Sequence, residues 1–287
     1  GATQILGLSW DEAWHLMERA VARGQARKAR RVIRHLGVDE KAIAKGHRYL
    51  TLVCDIEAGT VEYAGEERKQ TSLEAYYHAL STEQRARIEA VAMDMWEPYI
   101  QATRARVPDA TEKIVFDRFH LMSYLGKAVD TVRKREHRER LAQGDKTLTG
   151  TKYLWLYGRE NIPASRRREF AALRRLELKV GRAWAIKETL RELWHYRYPA
   201  AARRFWQRWY FWATHSRLQP IRDAAATLKR HLANILTYFQ HRITNAVSEG
   251  LNSKIQAIKH MACGFRNIEH FKTAIYFHCG GLDLYPC

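Results

Sequence analysis

The sequence predicts an α/β protein: a mixed five-stranded sheet, then a long all-helical insertion, then a last helix that returns to the sheet. Three observations predict it. Apolar runs of strand length alternate with helical segments between residues 31 and 123. Residues 124 to 240 are almost wholly helical in their spacing. After residue 240, apolar and polar residues fall on separate faces of one helix.

The first segment, 1–30, contains "SWDEAWHLMERAVARGQARKAR", a helix with Ser9 or Asp11 as cap and Ala13, Leu16, Met17 and Ala20 on one face. Preceded by "ILGLS" and ending in a basic run, it reads either as the second half of a helix-turn-helix or as a solvated basic face. From residue 31 the period changes. "RVIRHLGVDE" is a short strand ending at Asp39 and Glu40, and "RYLTLVCDIEAGTVEYAGEE" is a hairpin turning at Glu57 to Thr60. "SLEAYYHALSTEQRARI" is helical, "RIEAVAMD" is a buried strand ending at Asp94, "WEPYIQATRARVP" is helical, and "EKIVFDRFH" is a fifth strand.

That order is strand, hairpin, helix, strand, helix, strand, which is the order of a ribonuclease-H-like fold. In that topology the first and fourth strands lie side by side and parallel, so Asp39 and Asp94 sit a few ångströms apart. Paired carboxylates repel unless a cation lies between them, and hard divalent metals suit them. Each acid taken alone reads as an ordinary strand-end residue in solvent.

The helical block, 124–240, holds Trp155, Trp184, Trp194, Trp206, Trp209 and Trp212. Its "RRFWQRWYFWATHSR" interleaves rings and guanidinia, which suits base stacking and phosphate contact, although rings at helical spacing are more often core. In the final segment, 241–287, Val247, Leu251, Ile255 and Ile258 form one apolar stripe. Glu249, Asn252, Ser253, Gln256 and Lys259 or His260 lie on another face, fit either for a metal and phosphate site or for solvent.

Composition points to the partner. Forty-nine Lys and Arg against 31 Asp and Glu give a net charge of +18 in 287 residues, with a pI near 9.9, which favours nucleic acid. No stretch has the length and apolarity of a membrane span, and "GATQILGLSWDEAW" has no basic region followed by an apolar one, so a cytoplasmic protein is expected. Four dispersed cysteines, Cys54, Cys263, Cys279 and Cys287, support neither a zinc site nor a disulfide framework.

Three blocks, "GVDE" with "KGHRYLT", "VAMDMWEPYIQA" with "VFDRFHLM", and "TNAVSEGLNSKIQAIKHMACGFRN" with "FKTAIYFHCGG", occur in one order along nearly the whole chain. In this they resemble the DDE transposases of the ISL3 insertion-sequence family. The resemblance implies a catalytic triad of Asp39, Asp94 and Glu249 holding two Mg²⁺ or Mn²⁺ ions. It also implies metal-dependent cleavage of double-stranded DNA at transposon ends, attack of the freed 3′ hydroxyl on target DNA, and action as a homodimer on DNA. Family members usually carry an N-terminal zinc-binding segment and a complete helix-turn-helix, whereas this chain begins inside that region and has no clustered Cys.

Around the triad, Asp117 with His120 reads either as a pair that lines the site or assists proton transfer or as packing, Asn252 is expected to support the site, and Lys254, Lys259 and Arg266 to contact phosphates. Asp55, at the hairpin turn, reads as structural. Two other classes use the same features: a nuclease or resolvase of this fold that makes only hydrolytic cuts, and a domesticated, non-catalytic DNA-binding protein.

Overall fold

A computed structural model describes residues 5, 7–29, 31–44 and 48–286. Parts of the 1–30 segment, the "KGH" of the first block and Cys287 lie outside the described residues. Among the described residues no helix is long and apolar enough to cross a membrane. The chain divides into two compact units, Gly1–Val115 with Ile243–Cys287, and Phe116–Arg242.

In the first unit, helix α1 (Trp10–Arg27) starts at a capping box. Ser9 Oγ accepts from Glu12 N at 3.3 Å and Glu12 Oε2 accepts from Ser9 N at 2.8 Å. The basic end of α1 closes on the chain's own C-terminal segment. Arg23, Arg27 and Lys28 donate to the carbonyls of Leu284, Tyr285 and Gly280 at 2.8 to 2.9 Å. Gly24 permits this approach, since a Cβ there would stand 2.8 Å from Leu282 Cβ.

Strands β1 (His35–Ala44), β2 (Arg48–Asp55), β3 (Thr60–Glu66), β4 (Ala90–Met93) and β5 (Ile114–Phe116) form one mixed sheet in the order β3-β2-β1-β4-β5. This is the ribonuclease-H-like sheet. β1 pairs antiparallel with β2 from Leu36–Asp55 to Ala44–Arg48, and parallel with β4 from His35–Ala90 to Gly37–Ala92. β1 therefore does not end at Asp39: pairing with β2 carries it on to Ala44, and only the ladder with β4 stops before the acid. Asp55 organises the hairpin turn, accepting from Glu57 N and Ala58 N at 2.8 and 3.0 Å.

The predicted helix between β3 and β4 is two, α2 (Gln70–His78) and α3 (Thr82–Ala86). They are broken where Ser81 and Gln84 form a second capping box. α4 (Glu97–Arg106) starts with Pro98 in its first turn, where a missing N–H costs nothing, and α5 (Ala110–Lys113) precedes β5. Tyr99 on α4 shares a hydrogen bond with Thr51 of β2 at 2.9 Å, and Tyr77 on α2 one with Thr103 on α4 at 3.0 Å. The opposite face of the sheet is covered by α14 (Ala246–Met261) and α15 (Ile268–Cys279). There Leu251, Ile255, Ile258, Phe271 and Ile275 pack on Ile43, Leu50, Leu52 and Cys54. Each fully buried aliphatic side chain contributes about 1.5–3 kcal/mol, so α14 is held firmly against β1 and β2.

The second unit is helical: α6 (Arg118–Ala142), α7 (Lys152–Leu156), α8 (Arg167–Arg175), α9 (Lys179–Arg191), α10 (Pro199–Thr214), α11 (Gln219–Arg230), α12 (Leu232–Leu236) and α13 (Tyr238–His241). It begins earlier than residue 124, because Asp117 caps α6 directly after β5, accepting from Phe119 N at 3.2 Å. Trp155, Trp184, Trp194, Trp206 and Trp209 are buried. Phe170 stands edge-on to both Trp155 and Trp184, with ring centroids 5.0 Å away in each case. For these rings packing wins over base stacking. Buried Lys187 donates to the carbonyls of Leu156 and Tyr157 at the end of α7, at 3.1 and 3.0 Å, and burial pulls its pKa down.

Candidate active site

Successive side chains of a strand alternate between faces, so Gly37, Asp39, Lys41 and Ile43 share the face of β1 toward α14. Their partners across β2 follow the same face: Cys54, Leu52 and Leu50 stand opposite Gly37, Asp39 and Lys41. The first turns of α14, with Asn245 just before it, answer with Asn245, Ser248 and Asn252, three and four positions apart and hence on one side of the helix.

Three contacts lock strand to helix. At Gly37, an added Cβ would overlap Ser248 Oγ and stand 3.0 Å from Asn245 Oδ1. One step along, Asn252 Nδ2 donates to Asp39 Oδ2 at 2.7 Å, while Asp39 Oδ1 accepts from Glu40 N at 2.8 Å. One step further, Lys41 Nζ donates to the Asn252 carbonyl at 3.0 Å. Burial, and then the charge of Lys259, lower the pKa of Lys41, with Asp39 opposing them.

Asp94 follows β4 and accepts from Met95 N at 2.6 Å. The ladder pairs His35–Ala90, Leu36–Val91 and Gly37–Ala92 share one register; the pairing ends there, and the same register extended by two residues would set Asp39 opposite Asp94. Neighbouring strands run about 4.8 Å apart. Arg68 braces both acid-bearing segments. Its guanidinium pairs with Glu40 at 2.8 Å and lies over the rings of Trp96 and Tyr49, 4.5 and 4.6 Å from their centroids. The Trp96 indole donates back to the Arg68 carbonyl at 3.1 Å. Nothing in the pattern of "GEERKQ" marks Arg68. Lys41 is missing from the sequence candidates, although period two places it on the face of Asp39.

Glu249 is exposed in the first turn of α14, one turn before Asn252. Among the described residues no three His, Cys, Asp or Glu side chains gather into a metal cluster, so Asp39, Asp94 and Glu249 do not form a closed ligand set in this arrangement. The donors suit Mg²⁺ or Mn²⁺ in kind: carboxylates on β1, just after β4 and on α14, all hard oxygens and no thiol or imidazole among them. Of the cationic candidates, Lys254 Nζ donates to the His278 carbonyl at 2.7 Å, Lys259 Nζ reaches the Ala42 carbonyl at 3.5 Å, and Arg266 is exposed between α14 and α15. Asp117 and His120 belong to the helical unit, where Asp117 Oδ2 and His120 Nδ1 stand 3.2 Å apart.

A family model described as Transposase, for the DDE proteins of ISL3 elements, matches residues 36–275. The chain belongs to the ISL3 transposase family. It is similar to the transposase for insertion sequence element IS1001 of Bordetella parapertussis, 31% identical over 242 residues that cover 83% of this chain and 59% of that relative. It is also similar to the transposase for insertion sequence element IS1557 of Mycobacterium tuberculosis, 25% identical over 283 residues, 89% of this chain and 63% of the relative. The chain thus spans about three fifths of the length of these family members. The matched region takes in the sheet from Leu36 onward, the helical unit and α14.

Proposed function

We propose that the chain carries the catalytic body of a DDE transposase, which cleaves double-stranded DNA at the ends of an insertion sequence and joins the freed 3′ hydroxyl to target DNA. The register shared by β1 and β4, which extended by two residues would set Asp39 opposite Asp94, beside a helix pinned to Asp39 through Asn252, supports this reading. Asp39, Asp94 and Glu249 would hold two Mg²⁺ or Mn²⁺ ions, which when bound supply an activated water and neutralise charge on the departing 3′ oxygen.

The chain's own part is positioning. Asn252 fixes the carboxylate plane of Asp39, and Glu40 N satisfies its second oxygen. Arg68 keeps the segments of Asp39 and Asp94 together. Docking of α14 holds Glu249 one helical turn before Asn252, the residue bonded to Asp39, from where it would join the other acids when DNA arrives. Lys254, Lys259 and Arg266 line the same part of the chain and would take phosphates, releasing their present carbonyl contacts where they have them. A homodimer on DNA fits a reaction that handles two transposon ends.

The test is Mn²⁺-dependent nicking of a supercoiled plasmid. Asp39→Asn, Asp94→Asn and Glu249→Gln are each expected to abolish it, and nicking that survives Asp94→Asn would overturn the assignment. Joining of a labelled 3′ end to plasmid separates a transposase from a nuclease or resolvase, which makes hydrolytic cuts alone.

A further inference from the structure

The positive charge of this chain is not spread evenly. Residues 116–242, the helical unit, hold 28 Lys and Arg and 11 Asp and Glu, while the rest hold 21 and 20. The sheet-bearing unit is almost neutral, and nearly all of the surplus of +18 lies in the helices.

Within the helical unit, α10 concentrates that charge on one face. Arg203, Arg204, Arg208, Phe211, Trp212 and His215, the last at the helix end, are exposed, and α10 contains no acidic residue. Phe211 is 64% exposed and Trp212 38%, and the Phe211 and His215 rings are stacked 4.0 Å apart. Among the described residues none of the three guanidinia has an ion pair, whereas Arg140, Arg166 and Arg191 of the same unit are each paired to an acid. The face is not the product of loose packing. On the other side of α10, Trp206 and Trp209 are buried, and the Trp209 indole donates to the Ile186 carbonyl at 2.9 Å.

We propose that this face of α10 is a DNA-binding surface, its guanidinia on phosphates and Phe211 and Trp212 stacking on unpaired bases at an opened DNA end. From Arg204 to His215 the helix rises about 16 Å, enough to follow several phosphates. Rings beside guanidinia gain from a base only where its face is open, which selects unpaired over duplex DNA. An acidic protein would match the charge, but a polyanion matches it over the whole unit. The inference rests on the reading of the chain as an enzyme of DNA.

The full chain, with EDTA present, is titrated against a fluorescent duplex and the same duplex bearing a short unpaired 3′ flap, across a range of salt. Arg204→Ala with Arg208→Ala is expected to weaken both by tenfold or more and to lower the salt slope by about two. Phe211→Ala with Trp212→Ala is expected to remove a roughly tenfold preference for the flap and leave duplex binding intact. Circular dichroism checks that each variant is folded. Unchanged affinity and slope in the arginine pair overturn the surface, and equal weakening on both DNAs in the aromatic pair overturns the stacking. Either result, obtained with a chain whose nicking still depends on Asp94, leaves the enzyme reading in place. Weakened binding together with nicking that survives Asp94→Asn does the reverse.

Discussion

Gly37 of β1 and Ser248 of α14 meet with no room for a methyl group between them: a Cβ on residue 37 would overlap the serine hydroxyl. The glycine lets a helix end lie directly on the strand that carries Asp39, two residues away. Gly37→Ala is expected to cost about 1–3 kcal/mol of stability, as overpacking in a tight core does, and to depress plasmid nicking by more than the loss of folded protein explains. Ser248→Ala in the same chain removes the overlapping hydroxyl and is expected to restore most of both. Thermal denaturation and nicking at saturating Mn²⁺ check this, and a Gly37→Ala variant that nicks like the wild type would refute it.

Asp117 caps α6 and faces His120, so its first duty is structural. Asp117→Asn keeps an oxygen for the Phe119 N–H and is expected to leave partial nicking activity and a nearly unchanged melting temperature. Complete loss of nicking in a folded Asp117→Asn variant would promote the residue to a direct part in the reaction.

Glu136 is buried on α6, and its two oxygens accept from Lys179 N and Val180 N at 2.9 and 2.8 Å, capping α9 from a neighbouring helix. Truncation leaves two N–H groups of a helix start unsatisfied in the interior. Glu136→Ala is expected to destabilise the protein by about 2–4 kcal/mol, measured by urea unfolding, and Glu136→Gln by less.

Cys54 lies opposite Gly37, beneath α14, and burial pushes its thiol from 9.0 up to about 12. The folded chain therefore keeps a proton that the unfolded chain gives up. The resulting stability is whole below pH 9 and is lost as pH rises from 9 toward 12. Melting temperatures between about pH 8 and 11 are expected to fall, and Cys54→Ala to flatten part of that fall. At about pH 8, iodoacetamide is expected to modify exposed Cys263 and spare Cys54.

Much of the fold is written in local periodicity. The strand "AVAM", its acid and the Glu-Pro that opens α4 were legible because apolar run, turn and helix start follow in close succession. The end of β1 was not. Asp39 and Glu40 look terminal in sequence, yet β2 continues to pair with the strand, a long-range fact. The break at Ser81 carried a visible signal, Ser and Gln three apart, hidden inside a convincing helical run. Spacing alone did not separate buried Trp206 and Trp209 from exposed Phe211 and Trp212, since that depends on which neighbour covers each face. Gly37 was silent for a related reason: the role of a missing side chain depends on what arrives beside it.

The division of charge between the two units has an evolutionary consequence. The stretch that gathers the surplus cations is inserted between the segment bearing Asp39 and Asp94 and the helix bearing Glu249, so on the function proposed above the gene would store grip and chemistry in separate passages. On that reading, substitutions within the insertion would retune salt tolerance and DNA preference while the acids stay where β1, β4 and α14 hold them. An element moving between hosts of different cytoplasmic salt would be expected to drift fastest in its helices and slowest along that strand pair.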